Sequence, residues 1–246
     1  DAYRAALAAL GVPFDYWNPF VRGEIPSEIF DRYLDGVVIW SFYYNAGQLT
    51  ESQRLRIVDY LDAGGNLVIS GQRNGDALRY TELFTDYLHA TPVSSSVNLS
   101  RLVGVAGDPI GDGMSFTVNL PDRCFEVDVT APAYPSFAYD PASGLGDVKS
   151  SGTGCFRVDD GYKAFFMNFS FRDVAVQAER DMLLARILGY MGVDLPPTGY
   201  AWAPVTSAKV VDRSFGVTVL AADAAGRAVP QPFDPAVLKA FAVGED

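Results

Sequence analysis

Apolar and polar positions fall into blocks whose period changes along the chain. Residues 2–10 (AYRAALAAL) are Ala/Leu rich, and Gly11 and Pro13 follow. That pattern predicts a helix and its stop. Phe14 to Trp17 reads as a short strand, and Pro26 to Phe30 as the start of a short helix. Gly36 to Ser41 is a continuous apolar run of strand length, as expected of a strand buried on both faces of a parallel sheet. Thr50 with Gln53 three residues later forms a capping box. Leu55, Val58 and Leu61 give the helix it opens an apolar stripe. Gly64 and Gly65 end that helix, Asn66 to Ser70 is the next buried strand, and the loop Gly71 to Gly75 leads to a helix over 76–89. Such short-spaced alternation of strand and helix is the signature of βαβ units.

From 97 to 170 the pattern becomes extended, in the segments Val97–Val105, Met114–Leu120, Phe125–Val129, Ser136–Tyr139, Cys155–Val158 and Tyr162–Phe169. A helix follows over 174–191, with Leu184, Ile187, Leu188 and Met191 on one face and Gly192 as its stop. Pro196-Pro197 marks a boundary. Beyond it Lys209–Asp212 and Gly216–Ala221 read as strands and Asp223–Gly226 as a turn. The prediction is a doubly wound α/β domain over residues 1–195, with a mostly parallel sheet and a β-rich extension. Residues 196–246 are predicted as a small β appendage or partial β-sandwich, too short for a comfortable core of its own.

Composition bounds the partners. Hydrophobic residues make up 49% of the 246 and charged residues 20%, as in an ordinary globular protein. The net charge is -11 and the sequence pI about 4.5. An acidic surface repels phosphate backbones and anionic lipid, so nucleic acid is not an expected partner. No apolar run approaches the roughly 18 residues of a membrane span. The chain opens at Asp1-Ala2-Tyr3 inside a predicted helix, which reads as a processed or fragmentary start. Cys124 and Cys155 each sit in a strand-like stretch with no second Cys or His at metal-ligand spacing. They are either two buried thiols or one disulfide between neighbouring strands, which would imply an oxidising compartment.

The stretches 60–72 (YLDAGGNLVISGQ) and 107–114 (GDPIGDGM) and the strand-helix over 162–191 resemble the class I glutamine amidotransferase-like superfamily. The nearest branch is its non-catalytic domains in large secreted bacterial proteins, with trehalose-utilisation-like domains as cousins. The resemblance covers residues 1–192. It implies a flavodoxin-like strand order and a secreted or cell-surface setting. In the family's enzymes a Cys nucleophile sits on a tight turn after a strand, and His and Glu follow the last strand. Ser70 stands at the Cys position and Ser170 near the His, and no carboxylate falls where the Glu belongs. Imidazole accepts a thiol proton and holds the thiolate; a serine hydroxyl does not. The amidotransferase reaction is therefore not expected. The family also opens with a central strand ahead of the first helix. Its absence here implies preceding residues, a strand from another chain, or a different alignment.

His89, the only histidine, falls near a helix end, where the dipole favours it. A Ser70–His89 nucleophile pair would need hydrogen-bond reach and an orienting acid. Asp108, Asp112 and Asp122 suit either an oxygen-rich calcium loop or ordinary turns, with turns the simpler reading. Asp159-Asp160-Gly161 reads as a hairpin turn. The loop after the strand ending at Ser70 (Gln72, Arg73, Asn74) sits where α/β folds bind ligands, with a plain βα turn the simpler reading. Trp40, Phe42, Tyr43 and Tyr44 leave the preceding strand; core packing is the default reading, and lining the same crevice for a sugar or a partner side chain is the alternative. No phosphate-loop or dinucleotide fingerprint is present, and no cofactor or metal is expected.

The leading expectation is a non-catalytic structural or binding module of a secreted or cell-surface bacterial protein. Its partners would be other chains, domains of the same polypeptide, or further copies in an oligomer. The alternatives are a hydrolase or sugar-processing enzyme using the crevice near Ser70, and a small-ligand sensor.

Overall fold

The computed structural model describes residues 2–41, 49–72, 74–94, 100–119, 126–140, 142, 153–195, 199–202 and 219–222. Phe42, Tyr43, Tyr44, Arg73, Asp122, Cys124, Pro196-Pro197, the predicted strand 209–212 and the turn 223–226 lie outside the described residues.

Capping chemistry and apolar spacing set the helices: α1 (Ala2–Ala9), α2 (Pro19–Arg22), α3 (Ser27–Arg32), α4 (Glu51–Asp62), α5 (Asn74–Leu78) and α6 (Gln177–Tyr190). The capping box at Thr50 is formed: the Thr50 side chain accepts from the Gln53 N–H, and Gln53 Oε1 accepts from the Thr50 N–H. The buried stripe of α4 is Ile57, Val58, Tyr60 and Leu61; Leu55 faces solvent instead. The predicted helix over 76–89 is broken. Tyr80 takes a left-handed φ of 67°, and a π-helical turn, Leu83–Tyr87, follows. Leu78, Leu83, Phe84 and Leu88 all reach the core by this kink, so packing overrides helical continuity.

The strands are β1 (Val37–Ser41), β2 (Asn66–Ser70), β3 (Ala90–Ser94), β4 (Arg101–Gly104), β5 (Ser115–Thr117), β6 (Glu126–Val129), β7 (Ala133–Tyr139), β8 (Thr153–Asp159) and β9 (Lys163–Met167). They form one mixed sheet in the order β1-β2-β9-β8-β7-β4-β5, with β3 on β6 and β6 on β8. Only β1–β2 and β2–β9 pair in parallel, with Val38 opposite Leu67 and Ile69 opposite Phe166. Every other described pairing in this sheet is antiparallel. The fold is mixed α/β, and the expected mostly parallel sheet is corrected to a mostly antiparallel one. Helix α4 carries the chain from β1 back to the start of β2 and so permits parallel pairing. Strands joined by tight turns, such as β8 and β9 at Asp160-Gly161, must run antiparallel.

The parallel part is covered on both faces. Val38, Trp40, Leu67, Ile69, Ala164 and Phe166 pack with α3, α4 and the π turn. On the opposite face Lys163 Nζ donates to the Tyr190 carbonyl at 2.8 Å, and α1 packs on α6. Phe84, Phe116, Phe137, Phe156, Phe165, Phe166, Phe169 and Phe171 are all fully buried. Each contributes roughly 1.5–3 kcal/mol of apolar transfer energy. Phe14–Trp17 makes no strand pairing among the described residues.

The chain divides into two compact units, Asp1–Leu195 and Pro196–Asp246. In the second, β10 (Gly199–Trp202) and β11 (Val219–Ala222) form an antiparallel pair.

Burial gives two tyrosines a readable alkaline signature. Tyr60 donates its hydroxyl to the Tyr33 carbonyl and accepts from the Asn66 N–H. Burial pushes its phenol, and that of Tyr190, up to about 12 from the ordinary 10.0. A folded value above the unfolded one means their contribution is complete below pH 10.0 and is lost as pH rises towards about 12. Urea melts across that window should show falling stability, with tyrosinate absorbance from these two phenols rising only as the protein opens. Unchanged stability up to pH 12 would contradict the burial of both hydroxyls.

Candidate functional site

Parallel strands deliver their carboxyl ends to one rim of a sheet, and β1, β2 and β9 do so here. Ser41 ends β1, Ser70 ends β2, and Met167 ends β9. The loops that follow converge because β2 and β9 are neighbours. Gln72 Nε2 donates to Asp173 Oδ2 at 2.7 Å, and Asn74 Nδ2 to the Met167 carbonyl at 3.4 Å. Ser70, Gln72, Asn74, Asn168, Ser170 and Asp173 are all buried. So many buried polar groups in one place require internal hydrogen bonding.

The crevice is filled from within. Tyr3, on the first turn of α1, stacks on Phe171 at 4.1 Å and donates its hydroxyl to Ser70 Oγ at 2.9 Å. Ser70 Oγ lies 3.5 Å from Ser41 Oγ. Burial raises the Tyr3 phenol far above the usual tyrosine range, so it remains a neutral donor. The structure thus brings Gln72 to Asp173, whose N–H donates to the Ser170 carbonyl, beside Ser70 and Asn74 at the same rim. Trp40 is not among them: it is 8% exposed and packs in the core on the α3–α4 face. Alternation along β1 sends it to the face opposite Ser41 and Ser70.

His89 lies at the opposite end of the sheet from Ser70. It follows the π turn with a left-handed φ of 49°, and its Nε2 lies 3.7 Å from Asp160 Oδ2 in the β8–β9 turn. That turn precedes β9, at the end of the sheet away from the carboxyl rim. The same end carries a cleft of about 480 Å³ lined by Asp62, Asp86, Tyr87, Asp160 and Tyr162 among others. Tyr87 donates to Asp62 Oδ1 at 2.8 Å. No group of three or more metal-ligating side chains occurs among the described residues.

Asp108 settles the Gly-rich loop. Its Oδ1 accepts from the N–H groups of Ile110 and Gly111, and its Oδ2 from Arg157 Nε at 2.8 Å. Asp112 is exposed, and its carbonyl accepts from Arg186. This is turn chemistry, with both Asp108 oxygens engaged. Cys155 is buried in β8; Cys124, the other cysteine of the expected two thiols or one disulfide, lies outside the described residues.

Sequence reasoning missed Tyr3 and Asp173. Tyr3 shares the α1 stripe with Ala6, Leu7 and Leu10, so its burial was legible, but its hydroxyl partner was not. Tyr3→Phe and Ser70→Ala should each cost about 1 kcal/mol, with a coupling energy of similar size in the double mutant. Additive losses in urea melts would mean that the bond contributes nothing.

No family model matches the chain, and no curated protein matches its sequence. Solved structures do. The chain superposes on "Cytoplasmic Protein STM3548 from Salmonella typhimurium" with a TM-score of 0.54 at 12% identity, covering 77% of this chain and 85% of that one. For "Cytoplasmic Protein STM1381 from Salmonella typhimurium LT2" the TM-score is 0.54 at 11% identity, with coverage of 78% and 86%. For "mmIFT52 N-terminal domain" it is 0.48 at 13% identity, with coverage of 70% and 82%. The two Salmonella proteins show the fold. Their description as cytoplasmic overturns the secreted or cell-surface setting expected from the resemblance. No helix among the described residues is long and apolar enough to cross a membrane.

Proposed function

We propose that the Asp1–Leu195 unit is a non-catalytic binding module of amidotransferase-like, flavodoxin-like ancestry, and that α2 presents its contact to another protein. The observation that carries this is an aromatic and aliphatic patch held out to solvent: Phe14 is 39% exposed, Tyr16 49%, Phe20 71% and Val21 78%. Scattered exposed apolar side chains are ordinary, but a run of them within one short segment marks an interaction surface. The segment is braced. Asn18 caps α2 by accepting from the Phe20 N–H at 3.0 Å, Trp17 Nε1 donates to the Gly23 carbonyl at 2.9 Å, and Arg22 lies over the Trp17 ring. A rigid aromatic tip loses little entropy on binding, which suits an anchor residue.

The closed crevice supports the non-catalytic half of the reading. Ser70 is held by Tyr3, and the one histidine belongs to the other end of the sheet. A photo-crosslinking residue at Phe20, in the protein's own cells, should give one discrete adduct that Val21→Asp abolishes, while the same group at exposed Leu55 gives none. Equal labelling at both positions would remove the α2 contact. A serine-directed fluorophosphonate that labels the chain, and fails on Ser70→Ala, would instead establish an enzyme.

A further inference from the structure

The cleft of about 480 Å³ at the amino end of the parallel strands lies where the end of α4, the π turn and the β8–β9 turn meet. Its volume falls in the range of small-molecule sites, roughly 300–1,000 Å³. Asp62, Asp86 and Asp160 are exposed at its rim, while Leu61 and Tyr162 are buried beneath them and Tyr87 is half-buried. Negative charge gathers here with little to balance it. No lysine or arginine forms an ion pair with the three carboxylates among the described residues; the basic group beside them is His89, 3.7 Å from Asp160.

Two of the three elements go against a local preference in supplying these groups. A helix C-terminus carries partial negative charge from its unpaired carbonyls and ordinarily takes Lys, Arg or His in its last turn. The last turn of α4 has no basic residue and holds Asp59 and Asp62 instead. Asp62, Ala63 and Gly64 line the cleft, so α4 presents both its dipole and a carboxylate there. The second element is the π turn, a rare conformation that concentrates at functional sites; it supplies Asp86 and Tyr87.

The tyrosines give the cleft its apolar wall. Tyr87 donates its hydroxyl to Asp62 Oδ1 at 2.8 Å, and Tyr162 donates to the Tyr87 carbonyl at 2.6 Å. Their rings lie 5.9 Å apart at a tilt of 36°. Burial, the hydrogen bond to Asp62 and the charges of Asp62, Glu82 and Asp59 push the Tyr87 phenol up to about 12. Burial, Asp160, Tyr87 and Asp62 raise that of Tyr162 as well. Both therefore stay neutral beside the carboxylates.

This combination specifies the chemistry of an occupant. Carboxylates and a helix C-terminus call for positive charge, and aromatic rings attract cations and cover methylene groups. One metal ion is a poor fit, because no three metal-ligating side chains converge among the described residues. Dispersed carboxylates above an aromatic wall suit several ammonium groups strung along an aliphatic chain. We propose that this cleft binds a linear aliphatic polyamine, with its ammonium groups at Asp62, Asp86 and Asp160 and its methylene chain against the Tyr87 and Tyr162 rings. The site uses no residue of the α2 contact and stands independently of it.

Calorimetric titration of the 246-residue chain with spermidine, at physiological salt, tests the proposal. One saturable site per chain is expected, with the amide resonances of Gly64 and Gly161 shifting together as it fills. The double variant Asp62→Asn/Asp160→Asn should bind about tenfold more weakly, whereas Asp112→Asn, at an exposed position elsewhere, should bind like the parent. Both substituted positions in the cleft are exposed, and an amide at position 62 still accepts from Tyr87, so the fold is retained. Heat that does not saturate, or that falls equally in Asp112→Asn, reflects diffuse attraction to a chain of net charge -11 and overturns the proposal. Amide shifts confined to another part of the molecule overturn it too. Magnesium ion binding as tightly as spermidine would make this a simple cation site, and tighter binding of an oligolysine peptide would make it a protein-docking site; either result also overturns the polyamine assignment.

Discussion

Replacing Gly111 by alanine is expected to abolish stable folding of the Asp1–Leu195 unit. A Cβ on Gly111 would stand 1.9 Å from the Ser136 carbonyl oxygen of β7, and one on Gly104 would stand 1.6 Å from the Gly111 carbonyl oxygen. Three backbone segments are stacked in contact here, and none of the colliding atoms belongs to a side chain that can rotate away. The cost is set by separating β4, β7 and the Gly107–Gly113 loop. Phe116 and Phe137, whose rings meet edge to face at 4.9 Å, pack beside that junction. Overpacking ordinarily costs about 1–3 kcal/mol where side chains yield, and a backbone clash of this depth should exceed about 4 kcal/mol. Circular dichroism and urea melts check this against Asp112→Ala, an exposed neighbour expected to change stability by less than about 0.5 kcal/mol. A Gly111→Ala protein as stable as the parent would mean that the loop does not lie against β7.

The second large effect is expected one turn earlier in the same loop. The Asp108 side chain is 3% exposed and the Arg157 side chain 18%. Asp108→Ala removes the acceptor of the Ile110 and Gly111 N–H groups and leaves Arg157 without its carboxylate between the Tyr134 and Tyr190 rings. Breaking a buried pair by deleting one partner costs about 3–5 kcal/mol, because the surviving charge stays desolvated. Arg157→Met should cost less, since Asp108 keeps its two backbone donors. The double mutant should recover part of the sum, and a cycle of urea melts measures that coupling. If Asp108→Ala cost no more than an exposed substitution, the loop would be held by Arg186 and the backbone contacts alone.

These two cases show where sequence reading stops. Gly107 to Gly113 reads as a turn-rich loop because Asp-Pro and Asp-Gly are turn formers. Nothing in that spelling says that Arg157, far along the chain, reaches Asp108, or that Gly111 must touch Ser136. The same holds at the rim. The end of a buried strand at Ser70 and the loop behind it were legible from an apolar run followed by Gly71. The Tyr3 hydroxyl that fills the crevice, and Asp173 that holds Gln72, come from elements brought together only by sheet order. Trp40 had two readings in the sequence, core or crevice, and strand alternation sends its side chain to the core face.

The sequence by itself determined the local elements whose signals are short-range: the capping box at Thr50, the strands ending at Ser41 and Ser70, the hairpin turn at Asp160-Gly161 and the amphipathic α6. It also bounded the surface charge. Tertiary structure alone decided strand direction, the break at Tyr80 and the hydrogen bond that joins Tyr3 to Ser70. The physical reason is range. Capping, periodicity and turn preference act over a few residues, whereas sheet order and buried hydrogen bonds join residues such as Gln72 and Asp173 through contacts that no local pattern encodes.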